Sequence, residues 1–141
     1  MNIFQIYLAG AMQGHDFNTY SCWRKNIKCA LENTECDYKV KAINPAEYYN
    51  FEDDSTYDSD FEVMNFDLNK LRQSDLVILN FTDPKSLGTM AELGIAYDRR
   101  IPIIGLNENG YELHLWHKCM CSKIFDDRGE MLRYIRDYYL N

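Results

Sequence analysis

The sequence predicts an α/β fold, a parallel sheet wound on both sides by helices. Three observations predict it. Short apolar runs of strand length alternate with stretches whose apolar residues recur at helical spacing. Turn-forming residues, such as Gly10, Asn44-Pro45 and Asp83-Pro84, separate the segments. The run Leu76 to Phe81 (LVILNF) is short and apolar, as a strand covered on both faces must be. Strand, helix, strand, helix in series implies parallel strands joined by right-handed crossovers.

Each element has a local reason. Ile3 to Ala9 (IFQIYLA) reads as the first strand and stops at Gly10. From Asn18 to about Asn33, Trp23, Ile27, Ala30 and Leu31 recur at spacings of three and four, the mark of a helix. Tyr38 to Ile43 is the second strand candidate, ended by Asn44-Pro45. A helix follows from about Phe61 to Gln73, with a ragged apolar stripe of Val63, Phe66, Leu68 and Leu71. After Leu76 to Phe81 comes a helix from about Thr89 to Arg99, then a fourth strand, Ile101 to Leu106, with Pro102 near its start. Cys121 to Phe125 is a fifth strand candidate and Asp127 to Tyr139 a closing helix. No repeat or linker divides the chain, so residues 1–141 are expected to form one domain.

Composition narrows the function. At 141 residues, 46% hydrophobic and 26% charged, the chain can bury a core. No apolar run approaches the ~20 residues that span a bilayer, and no signal peptide is apparent. A cytoplasmic location without a membrane partner is therefore expected. The net charge of −7 argues against polymeric nucleic acid, which is bound by excess Lys and Arg. Glu47 to Glu62 carries seven carboxylates and no base. It reads as a solvated loop that would repel anions if it lay near a site. The five cysteines form no CxxC pair and are expected to be reduced thiols in the core. His114, His117, Cys119 and Cys121 match no common zinc spacing, so no metal is expected; on a strand the two cysteines would share an inward face.

In a doubly wound sheet, ligands bind beyond the carboxyl ends of the strands. That rule selects the loops Gly10 to Asp16, Asn44 onward, and Asn80 to Thr89. Gly10, Ala11 and Met12 in the first loop are candidate substrate contacts. In the third, Ser86, Gly88 and Thr89 open a helix whose amides face whatever sits above the sheet. Glu92 then has two readings. With Thr89 it forms [ST]-x-x-E, a capping box that only satisfies the helix start; the same position puts a carboxylate at the mouth of the sheet. Asp67 lies on the helix before the central strand, so the N-terminal turns of that helix are near the same end. Two acids on one cleft suit glycosidic chemistry, although Asp67 could equally be a solvated helix residue. Tyr7, at the end of the first strand, can fix a carboxylate by hydrogen bonding, or it can be an ordinary core aromatic. Arg24, beside a core Trp23, is expected to be solvated.

Taken together, Tyr7-Leu-Ala-Gly10, Asp67-Leu-Asn69 with Asp75, and Gly88-Thr-Met-Ala-Glu92-Leu-Gly94 with Ala96 resemble the nucleoside 2-deoxyribosyltransferase family. The resemblance runs from about Ile3 to Leu106. It implies a flavodoxin-like five-stranded sheet of order 2-1-3-4-5 and a homo-oligomer, a dimer or larger, whose neighbouring subunit often completes the pocket. It implies Glu92 as the nucleophile at C1′, Tyr7 as its orienting group and Asp67 as the acid that assists the departing base. Substrates would be a nucleoside or nucleotide and a free nucleobase, with no cofactor. Ser86 departs from the transferases, which usually carry Asp there. Ser-Leu-Gly is closer to the related 2′-deoxynucleoside 5′-monophosphate N-hydrolases, whose serine contacts the phosphate. Those enzymes carry arginine in the first loop, and this chain has none before Arg24. Transfer between bases is thus expected ahead of hydrolysis, with a non-catalytic nucleotide-binding module as the reading from another class.

Overall fold

The computed structural model describes residues 1–49 and 59–141. Five parallel strands form one sheet of order β2-β1-β3-β4-β5. They are β1 (Ile3–Gly10), β2 (Lys39–Ile43), β3 (Leu76–Asn80), β4 (Ile103–Leu106) and β5 (Lys123–Phe125). The helices are α1 (Phe17–Glu32), α2 (Asp60–Arg72), α3 (Leu87–Asp98), α4 (Leu115–Met120) and α5 (Arg128–Ile135), with a 3-10 turn at Pro45–Glu47 and a closing π turn at Arg136–Leu140. This is the α/β sheet that the strand and helix patterns predict. Among the described residues no helix is long and apolar enough to cross a membrane.

Alternation along β1 explains the two halves of the core. Ile6 and Leu8 point to one face, where they meet Trp23, Ile27 and Leu31 of α1 and Met131 and Ile135 of α5. Tyr7 and Ala9 point to the other, beside Leu71 of α2 and Leu93 and Ala96 of α3. All five residues of β3 are buried, as a strand covered on both faces requires. Full burial of each such aliphatic side chain contributes roughly 1.5–3 kcal/mol. Pro102 stands just before β4, so its missing N–H removes no ladder bond; its carbonyl accepts from Val77 N at 3.0 Å.

Polar residues set where the helices begin. Asp16 caps α1 by accepting from Thr19 N at 2.9 Å, and Asp127 caps α5 by accepting from Glu130 N at 2.9 Å. Ser59 caps α2, whose first turn carries Asp60 and Glu62, where the helix dipole favours acids. The end of the acidic segment therefore serves a helix start. Its residues 50–58, and with them the expected solvated loop, lie outside the described residues.

Residues 115–120, given no element by the sequence pattern, form a helix, so Cys119 and Cys121 do not share a strand face: His114 turns its ring back to accept from Trp116 N at 3.1 Å, and the chain coils before β5. The expectation of core thiols is corrected. None of the five cysteines is fully buried. Cys22, Cys29 and Cys119 are exposed, and Cys36 and Cys121 are half-buried. Cys22 and Cys29 fall on the outer face of α1, and Cys119 on the outer face of the unexpected helix.

Candidate active site

The carboxyl ends of β1 and β3, with the helices beside them, bring Tyr7, Asp67 and Glu92 together. Register places Tyr7 opposite Val77 of β3 and Ile43 of β2, and the strand's alternation turns it toward α2 and α3. Its ring is wholly buried. The hydroxyl is buried as well and couples to Glu92, without the pair reaching full hydrogen-bond geometry.

The start of α3 decides what Glu92 is free to do. Ser86, not Thr89, is the capping residue: Ser86 Oγ accepts from Thr89 N at 3.4 Å and from Thr89 Oγ1 at 3.0 Å. The expected Thr89–Glu92 capping box is therefore not formed, because the helix begins three residues earlier. Glu92 lies in the second turn, half-buried. Among the described residues its carboxylate takes no hydrogen bond from a main-chain amide. It faces the other polar groups of the sheet end instead.

Asp67 sits on α2, half-buried, and Oδ1 accepts from Tyr48 Oη–H at 2.9 Å. Tyr48 follows the 3-10 turn after β2, and its ring packs edge-on against Phe66 with centroids 4.6 Å apart. The loop beginning at Asn44 was expected to border the site, but Tyr48 itself was not singled out. The Tyr48-Tyr49 pair just after an Asn-Pro turn was the available signal.

Burial dominates the electrostatics. It pushes Glu92 up to about 7, reinforced by the negative charge of Asp67 and opposed by the Tyr7 hydroxyl and the charge of Arg24. Burial likewise raises Asp67 to about 6, against the Tyr48 hydrogen bond and Arg24. Tyr7 is held well above its ordinary value by burial and by the two carboxylates, so it stays a neutral donor. Two carboxyls on one sheet edge thus both titrate near neutral pH, with Asp67 the lower of the two.

Arg24 overturns an expectation. It is not solvated but 1% exposed, among the largest fully buried side chains of the fold. The helical spacing could have revealed it: Tyr20, Trp23, Arg24, Ile27 and Leu31 share the buried face of α1, and Arg24 occupies an apolar position on it.

The remaining candidates are distributed over the same edge. Gly10 and Ala11 are buried at the end of β1, and a Cβ at Gly10 would lie 2.8 Å from the Trp23 ring. Met12 is half-buried and its carbonyl accepts from His15 N at 3.1 Å. Gly88 is exposed in the first turn of α3, while Thr89 is buried with its hydroxyl spent on Ser86. On the far side of α3 lies an open cavity of about 890 Å³, whose walls include His15, Asp83, Lys85, Tyr111 and His114. His15 Nε2 meets Asp83 Oδ2 at 3.0 Å across it. Tyr7, Asp67 and Glu92 do not line this cavity. Met90 of α3 touches His117 on its wall, and Glu92, two residues further and about 200° around the helix, faces the carboxylate cluster. Among the described residues no group of three or more His, Cys, Asp or Glu could hold a metal.

A doubly wound α/β sheet bearing two half-buried acids and a buried phenol at its carboxyl edge has the pair of carboxyls that glycosidic-bond chemistry uses. Residues 6–131 match the family model described as nucleoside 2-deoxyribosyltransferase, and the chain belongs to that family. It is thereby an enzyme of the glycosyl-transferring or N-glycosidase kind. Solved structures share the fold. A conserved protein from Enterococcus faecalis aligns with a TM-score of 0.76 at 18% identity, covering 96% of this chain and 98% of that one. A 2-deoxyribosyltransferase from Bacillus psychrosaccharolyticus aligns at 0.71 and 19% identity over 92% and 91%. A CMP N-glycosidase from Clostridium botulinum aligns at 0.60 and 17% identity over 93% and 97%. No curated protein matches the chain by sequence.

Proposed function

We propose that this enzyme cleaves the N-glycosidic bond of a 2′-deoxynucleoside through a covalent ester on Glu92 and passes the sugar to another base. The carrying observation is the carboxylate of Glu92: partly reachable, free of its own helix amides, and flanked by Tyr7 and Asp67. In the first half-reaction a Glu92 oxygen forms a bond to C1′. The bond from C1′ to the base nitrogen breaks, and its electron pair leaves with the base. Asp67, protonated, delivers its proton to that base. The Tyr7 hydroxyl steadies the carboxylate while charge develops on the sugar. In the second half an incoming base bonds to C1′, the ester is released as carboxylate, and Asp67 recovers a proton from the new base.

The assay is direct. Incubating the enzyme with a deoxynucleoside and a second free base should yield the exchanged nucleoside. Free sugar with no exchange would replace transfer by hydrolysis. Hydrolysis of 5′-monophosphates is the second reading, and Ser86 favours it: its oxygen accepts twice from Thr89, which leaves its own proton to donate to a ligand. Weighing against it, Arg24 cannot supply the missing arginine of the first loop, since its guanidinium is bound to main-chain carbonyls. Substrates with and without the 5′-phosphate, compared in one assay, decide between them.

We further propose a homo-oligomer. Phe61 and Met64 on α2, Leu87 on α3 and Trp116 on α4 are large apolar side chains at least half exposed, which a subunit interface would cover. Sedimentation velocity should show a dimer or larger, and a monomer at micromolar concentration refutes it.

A further inference from the structure

Arg24 is a buried cation whose hydrogen bonds, among the described residues, all go to main-chain carbonyls. Nε donates to Leu8 O at 3.1 Å, Nη1 to Tyr20 O at 2.5 Å and Nη2 to Gly10 O at 2.9 Å. The sheet explains why two of these carbonyls need a donor. Lys39 N donates to Asn2 O at 2.8 Å, so the even-numbered carbonyls of β1 point toward β2; Asp75 N donates to Gln5 O at 2.8 Å, so the odd ones point toward β3. Continued two residues at a time, the ladder on the β2 side would ask residue 45 to donate to the Leu8 carbonyl. Residue 45 is proline, which has no N–H. Beyond it β2 has already ended at Ile43. Arg24 reaches over from α1 and replaces the missing strand, while its guanidinium lies against the Trp23 ring 4.5 Å from the centroid.

Carbonyl capping alone could be done by a neutral donor. Here the charge comes with it, and among the described residues no carboxylate forms an ion pair with Arg24. The ionisable groups that feel it are those of the candidate site. Tyr7 comes from β1, Tyr48 from the segment after β2, Asp67 from α2 and Glu92 from α3. Its effect on both acids is to favour the ionised form.

We infer that Arg24 is a positioning residue of the active site: it fastens the end of β1, the strand that carries Tyr7, under the substrate loop and brings a buried positive charge to the sheet edge where Glu92 stands. This rests on the proposed role of Glu92. A purely structural Arg24 would matter for folding and leave the ionisation of Glu92 untouched.

The test is the titration of the Glu92 carboxyl, followed by carbon NMR on protein with carboxyl-labelled glutamate and assigned by its absence in E92Q. In Arg24→Met the midpoint should rise, and in Arg24→Lys, which keeps the charge, it should move far less. An unshifted midpoint in folded Arg24→Met overturns the inference. Should that variant fail to fold, the wild type answers through reciprocity. The Arg24 Nε nitrogen resonance should then inflect as the site acids titrate and lose part of that inflection in E92Q; a flat response between pH 5 and 8 overturns it equally. Because the titrations need no turnover, an enzyme inactive on nucleosides would sink the proposed function while leaving a measured coupling between Arg24 and Glu92 in place.

Discussion

Glu92→Gln should abolish turnover and at the same time stabilise the fold above pH 7. The amide cannot form the glycosyl ester, so activity should fall on the order of 10⁴-fold or more, and the adduct seen by mass spectrometry of quenched wild type should vanish. The stability effect follows from the raised carboxyl. Burial lifts Glu92 from its ordinary 4.5 to about 7, so the folded state binds the proton more tightly than the unfolded chain. Wild-type stability therefore declines as pH climbs from the lower value to the higher, and the whole penalty is present above 7. The interval corresponds to at most about 3 kcal/mol, and partial contact of the carboxylate with water brings this toward about 1 kcal/mol. Glutamine carries no charge and escapes the penalty. Urea unfolding at pH 5.5 and 8.5 should show a gap between variant and wild type that widens with pH. A variant that turns over normally would mark the protein as a chemistry without Glu92, or as a binding module.

That trade of stability for a poised acid bears on what the sequence discloses. The strands were legible because β1 and β3 are apolar enough to exclude other assignments, and their order follows once the crossovers are right-handed. Glu92, Asp67 and Tyr7 could be brought to one edge by topology, since each lies at the carboxyl end of a strand or on a helix turn beside it. The short α4 escaped because His117 is the one buried residue in it, which leaves no stripe for periodicity to detect. Arg24 was misjudged for the opposite reason. It stands on a clear stripe, but a charged residue is rarely fully buried, and only the proline at position 45 explains why this one is. The Asn-Pro turn places Tyr48 near the site, but nothing in a tyrosine pair ahead of an acidic run points to its bond with Asp67 nineteen residues away. Contacts made across elements are not encoded by local spacing, so positions were readable while partners were not.

The second large effect belongs to Asp67. In the proposed reaction it must carry a proton when the base departs, whereas Glu92 must have lost one. With the two acids raised to about 6 and about 7, wild-type kcat/KM should trace a bell whose maximum lies between those values, each limb belonging to the pair and not to one residue. Asp67→Asn removes the proton donor and should cost about 10²- to 10⁴-fold with ordinary bases. It also removes the negative neighbour that helps hold Glu92 up. The falling limb should disappear, leaving a single rising limb set by Glu92 alone. The loss should depend on the leaving group. A deoxynucleoside whose base already bears a fixed positive charge, such as an N7-methylated purine, needs no proton to depart, and Asp67→Asn should cleave it nearly as fast as wild type. Equal losses on charged and neutral bases would mean that Asp67 holds the substrate without moving a proton, and the assignment of the two acids would have to be redrawn.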